Sequence, residues 1–195
     1  MPIMLAVTRA LAAVNALVLA IGRFISIGLM GFMVLVILLQ VFFRYILNDA
    51  LPWSEEAARF MMLWMTGLVA PSAYRWGGFV AIEMVPQMLP KRIGALLMLF
   101  LLVVAGLVLV VAVQLGWKHV NSGWLFNSSS LKIPMDLFGM KVVRVKLAWM
   151  YMSLFVGVIL LLSVNVELIL RTLAKFADRE DELPEIKPLM AVEAE

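Results

Sequence analysis

Hydrophobic and polar positions along this chain fall into long blocks, with none of the strict alternation of a half-buried strand. Residues 24–43 (FISIGLMGFMVLVILLQVFF), 93–117 and 147–166 contain no charged side chain. About 20 mainly apolar residues are enough for a helix to cross ~30 Å of hydrocarbon, where every backbone polar group must be satisfied inside the segment. A fourth block, 57–80, holds Arg59 and Arg75 with fifteen uncharged positions between them. That is long enough if both arginines extend toward the interfaces. The pattern predicts an all-α integral membrane protein with four transmembrane helices, at about 24–43, 57–80, 93–117 and 147–170. All four belong to a single domain, residues 1–177.

Residues 10–22 are also apolar, and Arg23 is the one charge between them and the first span. A single helix over 10–43 would run about 51 Å at ~1.5 Å per residue. It must tilt, kink or begin as an extra N-terminal segment in the interface. A cleavable leader is disfavoured, because Arg23 and a second apolar run follow where a small-residue cleavage site would stand. Between spans, 81–92 is a short connection limited by Pro86 and Pro90. Residues 118–146 form a longer loop whose Gly, Asn, Ser and Pro mark turns, either an interfacial connector or a loop with a function of its own.

Composition narrows the class. The chain is 64% hydrophobic with a mean hydropathy of +1.02, against about 45–50% apolar in soluble domains. With no cysteine there is no disulfide, thiolate metal site or thiol nucleophile, and His119 alone cannot build a multi-histidine centre. The net charge of +3 is uneven: residues 178–195 hold seven acids and two bases, so that tail is −5 and the body +8. The basic body suits anionic membrane lipids, and no nucleic-acid partner is expected. The acidic tail is too poor in large apolar residues to offset its ordering entropy, and is expected to be mobile and water-exposed. With the termini inside, nine Lys and Arg fall on the inner segments and seven on the outer ones. This weak bias places both termini in the cytoplasm.

Residues 41–60 (VFFRYILNDALPWSEEAARF) concentrate five charged side chains between two apolar blocks. Helix-end physics accounts for much of this. Arg44 follows the first span, where a cation suits a helix C-terminus. Asn48, Asp49 and Pro52 make a turn. Ser54 is placed to cap the next helix, with Glu55 and Glu56 in its first turn. Arg59 is four residues from Glu55 and three from Glu56, within reach of either. Adjacent glutamates on a helix do not face each other as acid and base, and no metal-ligand set lies nearby, so no enzyme is expected and catalytic and metal residues are none. Gln40, Thr66, Ser72, Gln114 and Ser153 are the polar residues inside the spans, suited to helix packing. No ionisable residue is expected deep in the membrane.

The order VFFRYIL, short loop, LPWSEEAARFMMLWMTGLVAPSAYRWGG, VAIEMVPQMLPKR and two further spans resembles the small integral-membrane subunit of tripartite ATP-independent periplasmic (TRAP) transporters. The resemblance covers roughly residues 24–170. It rests most on Arg44-Tyr45, Trp53-Ser54-Glu55-Glu56 with Arg59, and the basic-Gly feature Arg75 to Gly78. The family commonly has a histidine after that feature, where Phe79 stands here; Glu83 keeps the acidic character expected downstream.

The resemblance implies four spans, cytoplasmic termini in a bacterial or archaeal inner membrane, and assembly with a large membrane subunit that carries the substrate and sodium sites. It also implies a periplasmic substrate-binding protein that delivers an organic acid. No cofactor and no substrate-binding residue is implied in this chain, and its role is that of a static scaffold in sodium-driven symport. Arg44, Tyr45, Trp53, Ser54, Glu55, Glu56 and Arg59 form the expected subunit interface, with Arg75 and Glu83 as a second one. Two other readings stay open at this level: an accessory subunit of an unrelated membrane complex, and an autonomous four-helix exporter.

Overall fold

A computed structural model of the chain describes residues 2–77, 88–133 and 143–176, together with 183, 184 and 186. Gly78, Phe79 and Glu83 lie outside the described residues. Four helices are described: α1 Pro2–Tyr45, α2 Ser54–Arg75, α3 Lys91–Gly123 and α4 Ala148–Phe176. A strand β1, Asn127–Ile133, pairs antiparallel with β2, Val143–Lys146, setting Asn127 opposite Lys146 and Ile133 opposite Val143. The expected all-α architecture holds for the membrane body. The loop expected over 118–146 contains this two-stranded ribbon.

Residues 10–22 are part of one continuous helix with the first span. At ~1.5 Å per residue α1 is about 66 Å long. Its buried positions explain why it stays on the bundle: Leu5, Thr8, Ala12, Asn15, Leu19, Gly22 and Ser26 recur at intervals of three and four, one face of a helix. That face is small and partly polar, while Ile3, Val14, Leu17, Phe24 and Ile27 point outward. Such inversion is what a hydrocarbon solvent favours, since lipid tails are as apolar as leucine and close packing and hydrogen bonds hold helices together.

Side-chain contacts set the directions. Gly22 of α1 lies against Leu68 of α2, and Arg75 reaches Ala12, so these helices are antiparallel. Gly67 meets Ser153 and Gly157 of α4, while Arg75 meets Glu167, so α2 and α4 run parallel. Gly116 meets Phe155 and Gly123 meets Ala148, so α3 and α4 are antiparallel. Three helices, α1, α3 and α4, are long and apolar enough to cross a membrane. The second, with its four charged residues, is shorter and less apolar. It packs in parallel register along α4, so the four described helices alternate in direction.

Two helices do not end with their apolar blocks. Helix α2 stops at Arg75 because Gly77 takes a left-handed φ of 74° and donates its N–H to Tyr74, a turn that favours glycine. Helix α4 continues past the uncharged block to Phe176. In the tail, Leu183 is buried against Leu5 and Ala174, so at this position the tail touches the bundle.

Candidate functional site

Two polar centres stand at opposite ends of α2. The first is built on Glu167, whose side chain is fully buried in α4. Arg75, the last residue of α2, grips it from two nitrogens: Nε donates to both carboxylate oxygens at 3.2 and 3.0 Å, and Nη2 donates to Oε1 at 2.8 Å. The same Nη2 donates to the Ala12 carbonyl of α1 at 3.1 Å. One turn after Glu167 on α4, Arg171 donates Nε to Oε1 at 3.0 Å. Asn15 of α1 donates to Oε2 at 2.8 Å and accepts from Ser163 Oγ at 2.7 Å.

Three helices therefore meet on one carboxylate. A fork of guanidinium donors matches carboxylate geometry, and charge-assisted bonds of this kind are about twice as strong as neutral ones. Both oxygens of Glu167 are engaged by protein donors, so the carboxylate is occupied as a structural tie. Further contacts flank it. Tyr74 Oη accepts from Asn165 Nδ2 at 2.6 Å. Arg23 lies 4.7 Å over the Trp76 ring and within 3.4 Å of Ser72 Oγ. Arg171 Nη1 donates to the Pro184 carbonyl at 3.0 Å.

This centre contains a fully buried carboxylate that the polar residues read inside the spans did not include. Glu167 sits one position beyond the charge-free block 147–166, and reading blocks to their first charge leaves it outside. Among the residues expected to interact, Arg75 is in this centre, but its partner is Glu167 of α4.

The second centre holds the remaining sequence-predicted residues. Trp53 occupies the N-cap position of α2 with no side-chain cap, and its carbonyl accepts the Ala57 N–H. Ser54 does not cap the helix as expected. It is fully buried one position later, and its Oγ donates backward to the Leu51 carbonyl at 2.8 Å, fastening the turn to the helix it precedes. Glu55 and Arg59 form the expected pair at 3.2 Å. Both are largely exposed, so the pair contributes at most about 1 kcal/mol.

Glu56 parts from Arg59 and reaches the ribbon instead. Its Oε2 accepts the Ser130 N–H at 2.8 Å, the Ser129 hydroxyl at 3.3 Å and the Ser130 hydroxyl. Glu56 lies before the apolar run that begins at Ala57, at the polar end of α2. Partial burial there would raise its pKa, but the hydroxyls of Ser130, Ser128 and Ser129 and the Ser130 N–H together hold it down at about 2. Donors to the ionised form favour it, so the carboxylate keeps its charge and its hold on β1 at neutral pH. Arg44 is exposed, 5.9 Å from the Tyr45 ring, and joins no ion pair among the described residues. The structure thus splits the expected seven-residue cluster: Ser54, Glu55, Glu56 and Arg59 organise the start of α2, whereas Arg44 and Tyr45 stand apart at the end of α1.

Among the described residues no three His, Cys, Asp or Glu are grouped to hold a metal ion. A shallow cleft lies between Pro52, Glu55, Glu56, Arg59, Ser129 and Ser130. It is open to solvent and offers no enclosed site.

Residues 33–175 match the family described as the DctQ component of tripartite ATP-independent periplasmic transporters. The matched stretch includes Arg75, Glu167, Arg171 and the whole second centre, and leaves Asn15 and the rest of α1 before residue 33 outside. The chain is also similar to the sialic acid TRAP transporter small permease protein SiaQ of Vibrio cholerae serotype O1. The two are 27% identical over 137 residues, covering 70% of this chain and 72% of that protein.

Proposed function

This chain belongs to the DctQ component family of tripartite ATP-independent periplasmic transporters, and from that premise we propose that it is the fixed scaffold of a three-part uptake system. The observation that carries the proposal is the saturation of Glu167. A carboxylate that moved protons or sodium would need a free oxygen and a path to water, and this one is enclosed by Arg75, Arg171 and Asn15. Its ties bind α1, α2 and α4 into one body, the rigidity asked of a subunit against which another moves.

In this reading the large membrane subunit holds the sodium and substrate sites, and a periplasmic binding protein delivers an organic acid. Sialic acid is the substrate named for the similar protein; here the chemistry that selects among carboxylates lies on the partner chains. The termini are cytoplasmic in the inner membrane, and the ribbon end is periplasmic. Trp53, Ser54, Glu55, Glu56 and Arg59, with Arg44 and Tyr45 of the neighbouring helix end, form the contact surface for the large subunit. No cofactor is required in this chain. The membership and the saturated carboxylate both favour this reading over an autonomous exporter.

The interface is tested by copurifying the large subunit with tagged chain in mild detergent. Charge reversal at Glu55→Lys and Glu56→Lys is expected to reduce recovery of the large subunit severalfold while the variant still inserts. Undiminished recovery and uptake would sink the interface assignment.

A further inference from the structure

The end of the molecule that carries the ribbon combines basic and aromatic residues in a way the scaffold role does not use. Between Arg92 and Glu167 the sequence contains a single acid, Asp136, against five bases. Lys118 at the end of α3 and Arg144 in β2 are exposed, and Lys146 is half-buried. Among the described residues none of the three forms an ion pair. Arg144 and Lys146 are two residues apart in β2 and so share one face of the strand, where an external anion can neutralise both.

Exposed aromatic residues stand at the same end of the molecule. Trp124 and Trp149 stack edge to face at 6.1 Å, bridging the end of α3 to the start of α4, and both are exposed. Phe126 and Leu125, at the entry to β1, are 58% and 79% exposed. On α3 itself, Val111, Leu115 and Lys118 follow at intervals of four and three, so the exposed apolar face of the helix ends in a cation. That continuity fixes the depth: the face that meets hydrocarbon runs without a break into the aromatic and basic surface. Amphipathic rings sit at headgroup level, and each basic residue near an anionic surface contributes on the order of 1 kcal/mol of attraction.

We propose that Lys118, Arg144 and Lys146, flanked by Trp124, Phe126 and Trp149, form a binding surface for anionic phospholipid headgroups in the leaflet on the ribbon side. The lipid phosphate neutralises these cations, and the rings bury beside its glycerol and upper acyl chain. The ribbon is thereby fastened from two directions, by Glu56 of α2 from within and by lipid from without. This holds whether or not the chain is a transporter scaffold.

The test uses the full chain in nanodiscs of phosphatidylcholine alone or with a minority of phosphatidylglycerol, read by hydrogen exchange over residues 124–133. Phosphatidylglycerol is expected to slow exchange there on the order of tenfold. The combined variant Lys118→Gln, Arg144→Gln, Lys146→Gln is expected to lose that protection, and the charge-preserving pair Lys118→Arg, Lys146→Arg to keep it. Equal exchange in both lipid mixtures would overturn the proposal. So would protection that survives in the neutralised variant, or protection that comes from an acidic soluble protein and not from lipid charge.

Discussion

Glu167→Ala is expected to cost this protein most of its folded population in detergent. The substitution leaves Arg75 and Arg171, both largely buried, without the carboxylate that neutralises them. Removing one partner of a buried pair costs about 3–5 kcal/mol, because the remaining charge is stranded away from water. Here one carboxylate serves two guanidiniums and the Asn15 amide, so α1, α2 and α4 lose their common tie together. Thermal unfolding of the purified chain, followed by tryptophan fluorescence, measures the loss. The triple replacement Glu167→Leu, Arg75→Met, Arg171→Met is expected to recover much of it, because an apolar core of similar volume has no desolvation cost to offset. A small effect of the single substitution would show that the centre contributes little to the fold.

The second large effect is expected at Gly67→Val. Helices α2 and α4 cross here in backbone contact: a Cβ at position 67 would lie 2.4 Å from the Ser153 carbonyl oxygen, and one at Gly157 would lie 2.8 Å from the Gly67 carbonyl oxygen. These obstacles are backbone, so no rotamer change relieves them and the helices must separate. Overpacking costs about 1–3 kcal/mol in well-packed interiors, and parting this seam also stretches Arg75 from Glu167 farther along the same pair of helices. Gly28→Ala and Gly31→Ala provide the contrast, since nothing lies within 4 Å of a Cβ at either position. Both are expected to leave stability unchanged or to raise it by roughly 0.5–1 kcal/mol, as glycine is a poor residue for a helix interior. The same unfolding measurement in detergent ranks all three; equal behaviour at positions 67 and 28 would contradict the close crossing.

Much of the membrane body was legible as apolar blocks, and the reason is physical: hydrocarbon demands long uncharged helices, and that demand is visible one residue at a time. The partners of polar residues were not legible in the same way. Glu55 and Arg59 could be paired from spacing because helix geometry brings i and i+4 together. Glu56 finds Ser130 seventy-four residues away, and no local rule names that partner. Ser54 looked like a cap, yet the helix begins at it, one residue earlier in phase than a capping serine requires.

The first helix carried a signal that apolar blocks conceal. Thr8, Asn15, Gly22 and Ser26 repeat at intervals of seven and four along a mainly aliphatic run. In water such a stripe would face solvent. In lipid it faces the bundle, and reading it so would have placed 10–22 against α4, and Asn15 near a polar partner. Glu167 would then have been the one acidic candidate in the last helix.

The central claim is that this chain supports transport without performing it. The most direct measurement is uptake of radiolabelled organic acid into sodium-loaded-outside proteoliposomes holding the large subunit, with the binding protein supplied externally, in the presence or absence of this chain. This chain alone is expected to give no uptake, and the three components together uptake that falls to background when the chain is withheld or carries Glu167→Ala. Uptake by this chain alone, or full uptake without it, would overturn the scaffold role.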